Sequence, residues 1–186
     1  PAQIVAVGIS NQRETTAMWD RGSGDPLADA VVWQCGRAGS IVRDIAKRGF
    51  DSIIKEKTGI PLSAYFPAAK MAWLQEEGLT ERAGRGEICL GTIDSWLIWQ
   101  LTQEHAFKTD YSNASRTQLM NLKTLAWDEE LAGIFGIPME CLAQICDSDA
   151  VYGHTTMNGL FEKPVPICGV LGDSHAALFG QGCLQP

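Results

Sequence analysis

Asp173 stands where the apolar run Val165 to Gly172 gives way to Asp173-Ser174-His175 and then to a second apolar run, Ala176 to Phe179. A carboxylate at such a junction can accept a proton from a hydroxyl group, or it can cap a helix. Ser174 beside it carries a hydroxyl that attacks acyl groups only if a base is oriented against it. Far upstream, Arg13 and Glu14 are adjacent and supply hydrogen-bond donors and acceptors together, as a substrate with several hydroxyls requires. Trp33 offers an apolar wall, and Tyr65 a ring with a polar tip. Taken singly, each has a plainer role: a cap for Asp173, a surface ion pair for Arg13 and Glu14, core packing for Trp33 and Tyr65.

The elements around these residues decide whether they can meet. Val165 to Gly172 has the pattern of a strand covered on both faces, followed by a helix opening at Asp173 or Ser174 and ending near Gly180 or Gly182. In open α/β sheets ligands bind at the carboxyl ends of strands, which is where Asp173 falls. Ile4 to Ile9 reads as a central strand, so Arg13 and Glu14 leave at the same kind of edge. Thr15 to Asp20, the turn-rich stretch Arg21 to Pro26 and Val31 to Trp33 predict a hairpin.

Helices are expected over Ser40–Arg48, Ser52–Thr58 (capped by Asp51), Pro67–Glu77 and Thr80–Arg85. A strand at Ile88–Leu90 and a largely buried helix from Thr92 to Leu101 follow. Thr109 to Arg116 reads as a loop, Gln118 to Leu122 as extended, Asp128 to Phe135 as a helix broken at Pro138, and Ser148 to Pro164 as turn-rich. Strands alternating with helices predict an α/β fold with a mixed sheet.

The bulk properties remove several function classes. The chain has 186 residues, 45% hydrophobic, with a net charge of −7 and no Lys/Arg-rich run, which argues against nucleic acid or an anionic membrane as partner. No apolar stretch has the length of a membrane span, and no signal pattern opens the chain. His105, His154 and His175 are not spaced with one another or with cysteines as zinc ligands, and neither a Walker loop nor a GxGxxG fingerprint is present. Six scattered cysteines without a CxxC pair suit a reducing, cytoplasmic setting. Asn113-Ala114-Ser115 matches a glycosylation acceptor only by chance in that setting. Gly172-Asp173-Ser174 has the letters of an esterase nucleophile block, but it lies near the end of the chain with no room for a downstream Asp-x-x-His pair. A strand-like segment almost at residue 1, and no polar tail at residue 186, suggest a piece of a longer protein.

Read together, the blocks resemble the carbohydrate kinases of the FGGY family, most closely its glycerol-phosphorylating members. The matching segments are Gly8 to Thr16, Val31 to Gln34, Tyr65 to Leu74, Gly91 to Leu97, Thr109 to Thr117, and Gly172-Asp173 with Ala176 to Gln181. The resemblance implies an actin-like, ribonuclease-H-like domain with a mixed sheet flanked by helices. Residues 1–186 would be most of the N-terminal, substrate-binding domain, lacking the opening strands with their phosphate loop and the C-terminal nucleotide-binding domain. Alone, the chain is expected to be inactive.

The implied reaction is ATP-dependent phosphorylation of a polyol hydroxyl, with Mg2+ arriving on the nucleotide. By position, Asp173 matches the general base; Arg13, Glu14 and Tyr65 match residues that bind hydroxyls, and Trp33 the residue against the carbon chain. Ser174 stands where a substrate-touching Gln is usual, and Cys35-Gly36 where an Asp-Arg pair is usual. These departures admit another sugar or sugar-alcohol kinase; a non-catalytic actin-like binding module is the reading from a different class. A sheet edge left uncovered would allow self-association.

Overall fold

The computed structural model describes residues 3–75 and 78–183. Its elements follow the expected alternation. In chain order they are β1 (Val7–Asn11), β2 (Thr16–Asp20), α1 (Gly39–Lys47), α2 (Asp51–Thr58), α3 (Pro67–Gln75), α4 (Thr80–Gly84), β3 (Ile88–Thr92) and α5 (Ile93–Leu101). The second half comprises β4 (Lys108–Asp110), α6 (Tyr111–Ala114), β5 (Met120–Asn121), β6 (Ala126–Trp127), α7 (Glu129–Phe135), β7 (Gln144–Cys146), β8 (Gly153–Thr155), β9 (Val165–Gly172) and α8 (Asp173–Gly180). The last two residues of the helix expected over Pro67–Glu77 lie outside the described residues.

A mixed three-stranded sheet, ordered β1-β9-β8, carries the two junctions of interest. β1 runs parallel to β9 with Asn11 opposite Gly172, so both strands end at one level. β8 closes the other side antiparallel, pairing Gly153 with Ile167. The first strand begins three residues later than the apolar run suggested, and Ile4 and Val5 are exposed.

The hairpin expected between Thr15–Asp20 and Val31–Trp33 forms only in part: the returning segment runs antiparallel to β2 through isolated bridges, Thr16 to Val31 and Trp19 to Pro26, with Leu27 N–H donating to the Met18 carbonyl at 3.0 Å. On its other edge β2 pairs continuously with β3, from Thr16↔Thr92 to Asp20↔Ile88. The reason is packing on two faces. Met18 and Leu90 point into the main core with Met71, Leu74, Leu119, Leu131 and Phe135, while Trp19 and Cys89 point the other way against Trp99 and Phe107. Trp19 meets Phe107 edge-on at 5.2 Å between ring centroids.

α5 is largely buried, as its composition predicted: Ile98 joins Tyr152, Ile167 and Val170 beneath the three-stranded sheet, and Trp99 packs on Trp19. β9 is covered less than expected, with Ile167 and Val170 buried but Val165, Cys168 and Leu171 only partly so. α8 buries no residue, and Leu178 and Phe179 are more than half exposed. Asp51 does not cap α2 with its side chain; Phe50 occupies the cap position. Thr109 to Arg116, expected as a loop, holds β4 and α6, because the Asp110 carboxylate accepts from the backbone N–H groups of Ser112 and Asn113, both at 3.0 Å. All six cysteines are unpaired.

Candidate active site

Because β1 and β9 end side by side, the segments that leave them face each other. Gly172 holds the cap position of α8, so Asp173 is its first helical residue and its carboxylate is spent on no capping bond beyond the adjacent Ser174 N–H, at 2.8 Å. The side chain of Asp173 is 58% exposed. Arg13 crosses from the end of β1 to this turn. Its Nη2 donates to Ser174 Oγ at 3.2 Å, its Nη1 donates to His175 Nδ1 at 3.3 Å, and its Nε lies 3.9 Å from Asp173 Oδ1. That last separation exceeds hydrogen-bond length, and Arg13 Nε is shielded from solvent without a partner.

Glu14 turns the opposite way. Its backbone is left-handed, with φ of 63°, and its side chain is almost wholly buried. Arg116 Nε donates to Glu14 Oε1 at 2.7 Å, and the Arg116 guanidinium lies over the Phe66 ring at 4.9 Å. Phe66 meets Tyr65 edge-on at 5.1 Å, and Tyr65 meets Trp33 at 5.7 Å. Trp33 and Tyr65 are both about one-third exposed, so neither is a core residue.

Under Tyr65, the fully buried Lys70 donates to the Tyr65 carbonyl. Burial pulls the Lys70 ammonium down to about 8, against the opposing charge of Glu14. At Cys35, hydrogen bonds from Arg37, its backbone N–H foremost, hold the thiol below its ordinary range.

A hydrogen-bonded platform supports both strand ends. Asn11 Nδ2 donates to Asn113 Oδ1 at 2.8 Å, Asn113 Nδ2 donates to Asp110 Oδ1 at 2.7 Å, and Gly172 N–H donates to Ser112 Oγ at 2.8 Å. Asn113 is therefore a buried structural group, consistent with dismissing it as a glycosylation acceptor. Sequence reading missed the platform and also missed Lys70 and Arg116. The signal was present: Asp110 precedes Ser112 and Asn113 at N-cap spacing, and Arg116 stands two residues past the helix they form.

The six expected site residues thus fall in two linked groups: Arg13, Asp173 and Ser174 in one, Glu14, Tyr65 and Trp33 in the other. The esterase arrangement is not met, since His175 receives a bond from Arg13 and no imidazole nitrogen reaches Ser174 Oγ among the described residues. Those residues contain no group of three or more His, Cys, Asp and Glu side chains able to hold a metal ion. No helix among them is long and apolar enough to cross a membrane.

The profile of the FGGY family of carbohydrate kinases, N-terminal domain, matches residues 1–180. The chain belongs to the FGGY family. It is 52% identical over 184 residues to glycerol kinase 1 of Thermotoga maritima, covering 98% of this chain and 37% of that protein. It is 47% identical over 188 residues to the glycerol kinase of Stenotrophomonas maltophilia, covering 100% of this chain and 38% of that one. Among solved structures, Plasmodium falciparum glycerol kinase with ADP superposes at a TM-score of 0.90 with 35% identity, over 96% of this chain and 36% of that chain. A ligand-bound xylulose kinase from Lactobacillus acidophilus superposes at 0.81 with 27% identity, over 96% and 36%. The fold of this FGGY chain is the actin-like, ribonuclease-H-like α/β arrangement expected from its blocks. The chain spans little more than a third of the relatives it matches.

Proposed function

We propose that residues 1–186 form most of the N-terminal, acceptor-binding domain of a glycerol kinase, which transfers the γ-phosphoryl group of ATP to a terminal hydroxyl of glycerol. The observation that carries this reading is Arg13 spanning the Asp173-Ser174-His175 turn, with Nε unpartnered beside an exposed carboxylate. The exposed carboxylate and the guanidinium beside it offer a proton acceptor and hydrogen-bond donors to one hydroxylated ligand.

In the proposed reaction Asp173 accepts the proton of the attacking hydroxyl. The substrate oxygen forms its bond to the γ-phosphorus as the β–γ bridging bond breaks and ADP leaves. A carboxylate is basic enough, because the transition state is loose and positioning dominates the rate. Arg13 donates to the substrate's oxygens, Glu14 accepts from a second hydroxyl, Tyr65 adds its phenol, and Trp33 covers the carbon chain. Mg2+ would enter with the nucleotide and neutralise phosphate charge. The chain spans little more than a third of the glycerol kinases it resembles, and on this reading most of the nucleotide site lies in the remainder, so the chain by itself should not turn over. The cytoplasm is the setting that this ATP-dependent reading favours.

A second FGGY reading, a kinase for a pentulose or larger sugar alcohol, draws on Ser174 and on Cys35-Gly36, which leave more room than the residues usual in glycerol kinases. A substrate panel on the full-length protein decides between them. Glycerol should rank among the best acceptors; a pentulose outranking it by a wide margin refutes the glycerol assignment. The non-catalytic alternative predicts polyol binding without any ATP-dependent product.

A further inference from the structure

The expected site residues do not account for how Glu14 is held. A carboxylate this deeply buried costs several kcal/mol unless an opposite charge faces it. Arg116 supplies that charge at 2.7 Å and engages only Oε1; no donor among the described residues reaches Oε2. The same guanidinium lies on Phe66, whose neighbour Tyr65 meets Trp33. The left-handed backbone at Glu14 restricts where its side chain can go. Arg116 therefore hydrogen-bonds the acidic acceptor and packs on the aromatic wall, while Lys70, over the Tyr65 ring at 5.8 Å, faces Glu14 only through its charge. Arg116 follows α6, which the Asn113–Asn11 and Ser112–Gly172 bonds fasten to the ends of β1 and β9.

We propose that Arg116 is a positioning residue for acceptor specificity: it fixes Glu14 so that Oε2 alone is presented to a substrate hydroxyl, at a set distance from the Phe66–Tyr65–Trp33 wall. This rests on the polyol kinase reading and adds a residue to it. Arg116 acts through Glu14 and Phe66, and needs no contact with the substrate. Losing it frees the carboxylate to rotate, so acceptor binding suffers while the nucleotide side does not.

The test uses the full-length protein, its best polyol acceptor and four variants: Arg116→Gln, Arg116→Lys, Glu14→Gln and the double variant Glu14→Gln/Arg116→Gln. Loss of a charged hydrogen bond of this kind corresponds to about a 10- to 100-fold change. Arg116→Gln should raise the acceptor KM by that amount with the ATP KM unchanged, and Arg116→Lys should recover part of the loss. The double variant should lose no more acceptor affinity than Glu14→Gln, because Arg116 acts through that carboxylate; additive losses overturn the proposal. A purely structural ion pair predicts that Arg116→Gln lowers the denaturation midpoint and weakens ATP and acceptor binding alike, and that result overturns the proposal too. An acceptor KM within twofold of the parent for Arg116→Gln overturns it too. A parent protein that neither binds nor phosphorylates any polyol refutes the kinase reading itself, and the role of Arg116 with it.

Discussion

The Arg13 side chain lies directly across the face of Gly172, so close that a Cβ on Gly172 would stand 2.4 Å from Arg13 Cδ and 2.7 Å from its Cγ. Gly172 has ordinary extended dihedrals, with φ of −56°, so backbone freedom does not explain the glycine. Space for Arg13 does.

Gly172→Ala should therefore leave the strand intact and push Arg13 off the Asp173 turn. Overpacking of this kind costs about 1–3 kcal/mol. We expect a modestly lower melting temperature and an acceptor KM raised about tenfold or more, measured by steady-state kinetics on the full-length protein. Unchanged acceptor affinity would show that Arg13 does not need this position.

Asp173→Asn should abolish phosphoryl transfer without unfolding the protein. The side chain is exposed and accepts from the N–H and the hydroxyl of the neighbouring Ser174, as an amide oxygen still can. An amide cannot take the hydroxyl proton, and losses of about 100- to 10,000-fold in kcat are usual when a general base is removed. Binding of polyol, followed by calorimetry, should survive. Near-parental turnover would remove Asp173 from the mechanism.

Ser174→Gln should narrow the pocket. Ser174 Oγ now accepts from Arg13 at 3.2 Å, and the longer amide would reach beyond that guanidinium toward the substrate. The ratio of kcat/KM for glycerol over a five-carbon polyol should rise about tenfold, as one added polar contact permits. A ratio that falls would favour the larger-substrate reading.

Asp94 governs a pH dependence of folding. Fully buried at the start of α5, it accepts from Thr109 Oγ1 at 2.7 Å through Oδ2, while Oδ1 has no partner. Burial pushes its carboxyl up to about 6 from an ordinary 3.8. The folded state then holds a proton that the unfolded chain releases between those two values, so stability falls as pH rises from about 4 to about 6 and is flat above. Asp94→Asn should flatten that slope and raise stability at pH 7 to 8 by about 1–3 kcal/mol. Denaturant midpoints across pH 4 to 8 provide the measurement; identical profiles for the two proteins would exclude Asp94 as the cause.

What could be read from residue order alone was whatever depends on near neighbours. The junction at Gly172-Asp173 was legible because an apolar run, a glycine and an Asp-Ser pair mark the end of a strand and the start of a helix within ten residues. The exit of Arg13 and Glu14 behind the first apolar run was legible in the same way. The hairpin shows the limit. Arg21 to Pro26 does turn the chain back along β2, but only through isolated bridges, while the continuous partner of β2 is β3, about seventy residues downstream, a pairing that fits Met18 and Leu90 on one face and Trp19 and Cys89 on the other.

Only the tertiary structure could put Arg116 on Glu14, Asn113 on Asn11 and Arg13 over Gly172, contacts separated by about a hundred residues or more. Local propensity carries no information on such meetings. They are decided by which buried charges and unpaired polar groups must find one another once the apolar faces have closed.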